Sequence, residues 1–150
     1  MDRIQLDQAM PPGLLRLLAS ALYDLMLVFG VLVIAAAVLV IPYGILTATD
    51  LAATALGRRL LQFYSLTIIV SYYLYFWSGG RQSLGMRAWR LKLVRDDGGD
   101  LDILCAGERL FWALLTLLPL GLGLWWMLKD PQRRTAYDRL AATRVVLVAK

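Results

Sequence analysis

Between Leu17 and Thr49 the chain carries one charge, Asp24, in a stretch that is otherwise almost entirely apolar. A helix crosses the hydrocarbon of a bilayer with about 20 apolar residues. Helices suit that solvent because lipid offers no partner to a free backbone N–H or C=O. The uncharged run Leu25–Ile41 therefore commits the chain to a retained membrane helix, and Pro11-Pro12-Gly13 marks where it begins. With that run in the hydrocarbon, Arg16 falls at the interface and Asp24 about two turns deeper. An ionisable group at such depth is costly, which makes Asp24 a functional-site candidate.

The rest of the chain agrees with a membrane setting. Of its 150 residues 59% are hydrophobic and 18% charged, against about 25% charged in ordinary soluble domains. Histidine is absent, which removes the commonest metal ligand and the usual general base. Cys105 stands alone, so neither an internal disulfide nor a thiolate cluster can form. No metal and no cofactor is expected. There is no nucleophile–base set and no phosphate loop, so the chain does not read as an enzyme and no catalytic residue is assigned. The net charge of +5 is assigned to cytoplasmic segments and anionic lipid headgroups rather than to nucleic acid.

The expected fold is an all-α integral membrane protein forming one domain over residues 1–150. Spans are expected at about 14–41, 60–77 and 110–128, with cytoplasmic segments 79–109 and 129–150. The second span closes with Tyr72, Tyr73, Tyr75, Phe76 and Trp77, a cluster suited to the membrane–water boundary. Ser83 to Arg90 fits an interfacial helix with Leu84, Met86 and Trp89 toward lipid, and Arg87, Arg133 and Arg134 are candidate lipid contacts.

Leu91–Arg95 alternates before the turn Asp96-Asp97-Gly98-Gly99, and its natural partner is the strand-like Val145–Val148. The third apolar block is broken at Pro119, with Gly121 and Gly123 close by, and reads as a kinked span or a re-entrant hairpin. Basic segments flank it on both sides, and the positive-inside rule favours keeping both on one face, which leans toward the hairpin.

Three stretches taken together resemble one family. Arg16-Leu17-Leu18-Ala19-Ser20-Ala21-Leu22-Tyr23-Asp24 opens the first span. Gln82-Ser83-Leu84-Gly85-Met86-Arg87 follows the second. Arg133-Arg134-Thr135-Ala136-Tyr137-Asp138-Arg139-Leu140-Ala141-Ala142-Thr143-Arg144-Val145-Val146 follows the third apolar block. In this order they are similar to the RDD family of small bacterial membrane proteins, named for one arginine and two aspartates. By position these are Arg16, Asp24 and Asp138. Ala141-Ala142-Thr143 stands where the family usually has Ala-Gly-Thr.

The resemblance implies a multi-pass protein of the bacterial inner membrane with its N-terminus in the cytoplasm, and suggests transport of small ions or other solutes. Eight residues on a helix mean about 12 Å of rise and about 80° of rotation. Arg16 and Asp24 are therefore expected to meet through a third element bearing Asp138. The functional expectation is a component of small-ion transport built on this charge network. The alternative is a non-catalytic accessory or scaffold subunit in which the network is a structural clamp. Few spans and no internal repeat imply a homo-oligomer or a larger membrane-protein partner.

Overall fold

A computed structural model describes residues 10–118 and 121–148. Helix α1 spans Leu14–Thr47 and α2 spans Ala55–Trp77. Both are long and apolar enough to cross a membrane, yet only 6% of the most apolar window of α1 and none of that of α2 is buried in protein. The core helix of a soluble domain would be covered on its apolar side. Helices this apolar and this exposed need lipid around them, so the chain is a membrane protein.

Each helix is longer than its expected span. α1 continues through Pro42, because a proline inside a membrane helix forfeits one hydrogen bond without ending it. α2 begins before Arg58 and Arg59, because the Thr54 hydroxyl accepts the Gly57 N–H at 3.0 Å and starts the helix there.

Two compact units divide the chain. One holds Leu25–Tyr72, that is, most of both long helices; the other holds the residues up to Asp24 together with Tyr73–Lys150. In the first, Asp50 caps a 3-10 turn (Leu51–Ala53) by accepting the Ala52 N–H at 2.8 Å. Arg58 donates to the carbonyls of Ala52 and Ala53 at 3.0 and 3.1 Å. Thr67 donates back to the Phe63 carbonyl at 2.8 Å, so this hydroxyl is satisfied within its own helix.

The second unit is built around a short antiparallel pair. Strand β1 (Leu91–Arg95) pairs with β2 (Thr143–Leu147) in the register Leu91↔Leu147 to Arg95↔Thr143. Helix α3 (Leu84–Ala88) precedes β1. Between the strands run α4 (Ile103–Leu117), α5 (Leu122–Trp125), a 3-10 turn (Trp126–Leu128) and α6 (Ala136–Leu140). Leu91, Leu93, Leu101, Cys105, Met86 and Val145 form the core.

Met86, expected to face lipid, therefore points inward. α3 is a single turn pressed on β1 rather than an amphipathic surface helix, although its Leu84 is exposed.

The third apolar block is not one continuous helix. α4 has 15 residues, about 22 Å of rise, short of the roughly 30 Å hydrocarbon. Pro119, where the break was expected, lies outside the described residues. Gly121 on its far side takes φ +71°, a left-handed conformation that glycine adopts without strain, and donates to the Leu117 carbonyl at 2.9 Å. α5 packs against α4; a Cβ on Gly123 would meet the Thr116 hydroxyl at 2.6 Å.

Candidate functional site

Asp24 is buried, and its bonds run to the segment after α2. The Ser83 hydroxyl donates to one carboxylate oxygen and the Gly85 N–H donates to the other at 3.0 Å. Ser83 Oγ in turn accepts the Met86 N–H at 3.1 Å as the N-cap of α3. One carboxylate thus secures both the capping serine and a free amide of the first turn of α3. A Cβ at Gly85 would collide with the Ser20 carbonyl and approach the Asp24 carboxylate to 2.8 Å, so glycine is required by close approach. Tyr73 lies within reach of the Asp24 charge.

Asp138 sits in a different cluster. It accepts Arg109 Nε at 3.1 Å and Arg109 Nη2 on one oxygen. Its other oxygen accepts the Thr135 hydroxyl at 2.7 Å and the Thr135 N–H at 3.4 Å. Thr135 and Asp138 form a capping box that starts α6, so one side chain both caps a helix and neutralises a buried cation. Arg109 also donates to the Thr143 hydroxyl at 3.4 Å. Its guanidinium lies 4.5 Å from the ring centre of Trp77 and 5.0 Å from that of Tyr137. Arg109, Asp138, Thr135 and Thr143 are all at most 2% exposed. Burial first, then the Asp138 charge, pushes the Tyr137 hydroxyl up to about 12, with Arg109 pulling the other way.

Arg16 joins neither cluster. It is exposed and its side chain makes no hydrogen bond or ion pair among the described residues. The expected meeting of Arg16, Asp24 and Asp138 is therefore corrected. The two aspartates are fastened by separate donors, and the arginine that neutralises Asp138 is Arg109. Asp138 takes the buried guanidinium of Arg109 and Asp24 takes a hydroxyl and an amide, while the exposed Arg16 keeps water.

Arg109 was readable from one cue: it shares a helical stripe with Cys105, Ala106 and Ala113, all buried. An arginine amid small buried residues four apart points inward, where it needs a counter-ion. Arg134 holds both oxygens of Asp96 at 2.9 Å, and Arg144 Nε reaches the same carboxylate at 2.9 Å. Arg87 and Arg133 are exposed.

The sequence matches the family model of the RDD family over residues 11–142. The chain belongs to the RDD family. Neither a curated protein nor a solved structure matches it. The RDD stretches now have physical meaning: the first aspartate caps α3, and the second closes α6 over a buried arginine. Ala142, in the place of the usual glycine, has φ +48°, and its carbonyl accepts the Asp96 N–H at 3.0 Å. The left-handed backbone there explains the family's glycine. Among the described residues no group of three acidic or cysteine side chains is placed to hold a metal ion.

Proposed function

We propose that this RDD protein is a non-catalytic accessory or scaffold subunit of the bacterial inner membrane, with Asp24 and Asp138 acting as static clamps. The observation that carries this reading is the saturation of both carboxylates by fixed donors. Ser83 and Gly85 hold one, and Arg109 and Thr135 hold the other. A proton- or cation-exchanging carboxylate needs open coordination and water, whereas an amide and a hydroxyl close on Asp24 and a guanidinium and a hydroxyl close on Asp138.

In this reading two spans cross the bilayer and the third apolar block re-enters, returning the chain to the side it left. Three facts support that: the shortness of α4, the packing of α5 back on α4, and the pairing of β1 before the block with β2 after it. The positive-inside rule then places the basic segments 79–109 and 129–150, and the N-terminus, in the cytoplasm. Arg87 and Arg133 face anionic headgroups there. The subunit acts within a homo-oligomer or with a larger membrane partner.

Reconstitution in liposomes tests the clamp. Wild type and Asp24→Asn should show equal, background proton flux under Na⁺ or K⁺ gradients, while Asp24→Asn unfolds at lower temperature in detergent. Coupled flux in wild type that Asp24→Asn abolishes would overturn the reading in favour of transport.

A further inference from the structure

The second unit leaves an apolar surface uncovered beside the buried Arg109 cluster. Trp126, Ala136, Leu140 and the aliphatic stem of Arg139 line an apolar groove of 330 Å³ between the 3-10 turn and α6. Trp125, Trp126, Leu128 and Leu140 are about half or more exposed, an arrangement water does not favour over so many neighbouring side chains. One cation lines the groove and two more lie close to it in the chain. Arg139 is half exposed and spends one guanidinium nitrogen on Asp130 at 3.3 Å, which leaves its other donors free to bind. Lys129 is exposed and one turn from Trp126, whose carbonyl accepts its N–H at 3.0 Å. Arg133 is exposed a few residues on.

We propose that this groove is a binding site for an anionic phospholipid. One acyl chain lies along Trp126, Ala136 and Leu140, and the phosphate is held by Arg139 with Lys129 beside it. Charge complementarity selects this occupant. An apolar groove walled by the stem of a half-exposed arginine matches a molecule with a hydrocarbon tail and a phosphate head. Indoles at the edge match the headgroup level of a bilayer, where an amphipathic ring meets lipid and water together. The chain also places its two long apolar helices in lipid, so phospholipid is the partner present at highest local concentration. The site goes beyond the scaffold reading and does not depend on the clamps.

Native mass spectrometry of the full chain in detergent, titrated with phosphatidylglycerol or with phosphatidylcholine of the same acyl chains, tests the proposal. Phosphatidylglycerol should be retained at least fivefold more than phosphatidylcholine. Arg139→Gln should bring the two to parity, and Leu140→Asp, an exposed position, should lower retention of both. Near-ultraviolet circular dichroism on each variant checks that the fold is kept. Equal retention of the two lipids by wild type would overturn the site, as would unchanged preference in folded Arg139→Gln. A dimer that forms through this face and excludes lipid would overturn it in favour of a second copy. Competition by soluble glycerophosphoglycerol equal to that of the full lipid would show that only a phosphate is bound, and would overturn the acyl-chain groove. None of these outcomes bears on the flux assay, so this proposal and the clamp fail separately.

Discussion

At the scale of single residues, the Arg109–Asp138 pair is where the protein has most to lose. Both side chains are almost completely excluded from water and hydrogen-bonded to each other. Removing one member leaves the other charged and desolvated, at a cost of about 3–5 kcal/mol. Arg109→Gln should therefore lower stability by that amount in detergent unfolding. Arg109→Met with Asp138→Asn should lose clearly less, because no uncompensated charge remains. Equal losses would mean that the aromatic stacking of Arg109, and not its charge, holds the cluster.

Tyr137 packs against the same guanidinium, and its hydroxyl is raised from about 10 to about 12 in the folded protein. The folded state then keeps a proton that the unfolded state gives up. The stabilisation is complete below pH 10 and is lost as pH rises from about 10 through about 12. Unfolding free energy should fall across that window, with a slope of about 1 kcal/mol per pH unit, and the unfolding temperature with it. Tyr137→Phe should flatten this part of the profile, and an unchanged slope in that variant would assign the loss to another group.

At the scale of elements, the turn between α6 and β2 is strained by its alanine. Ala142 holds φ +48° while its carbonyl anchors Asp96, the residue that also binds Arg134 and Arg144. A left-handed alanine costs about 1 kcal/mol or somewhat more relative to glycine, offset in part by the greater freedom of glycine when unfolded. Ala142→Gly should thus stabilise the protein by about 0.5–1 kcal/mol in thermal unfolding. A destabilised variant would show that the turn gains nothing from the backbone freedom glycine brings.

This turn also shows how far single elements could be read. The departure from Ala-Gly-Thr was visible in the chain, but its consequence was not, because a φ angle depends on the pairing of β1 with β2. Leu91–Arg95 was legible by alternation because its inward Leu91 and Leu93 and the turn after it are local features. α3 was misread for the opposite reason. Five residues have too little periodicity to say which side faces the core, and Met86 was placed by its contact with strands far along the chain.

At the scale of the whole molecule, one compact unit contains both strands and both ends of the third apolar block. With the native Cys105 replaced by serine, single cysteines at the exposed positions Asp97 and Gln132 should label from the same side of the membrane. Labelling from opposite sides would mean a complete third crossing and would break the pairing of β1 with β2.

What the chain determined by itself is the membrane setting, the two long helices and the RDD family, with Asp24 and Asp138 in the stretches that resemble it. These follow from local quantities: the length of an uncharged run, the scarcity of charge, and residues at fixed spacing. What only the tertiary structure decided is who binds those aspartates. Ser83 and Gly85 reach Asp24 across about sixty residues, and Arg109 reaches Asp138 across 29. A buried carboxylate can be recognised from its surroundings in sequence because its desolvation is local. Its partner cannot, because the chain brings distant donors together only when the core of Met86, Leu93 and Val145 closes and water leaves the site.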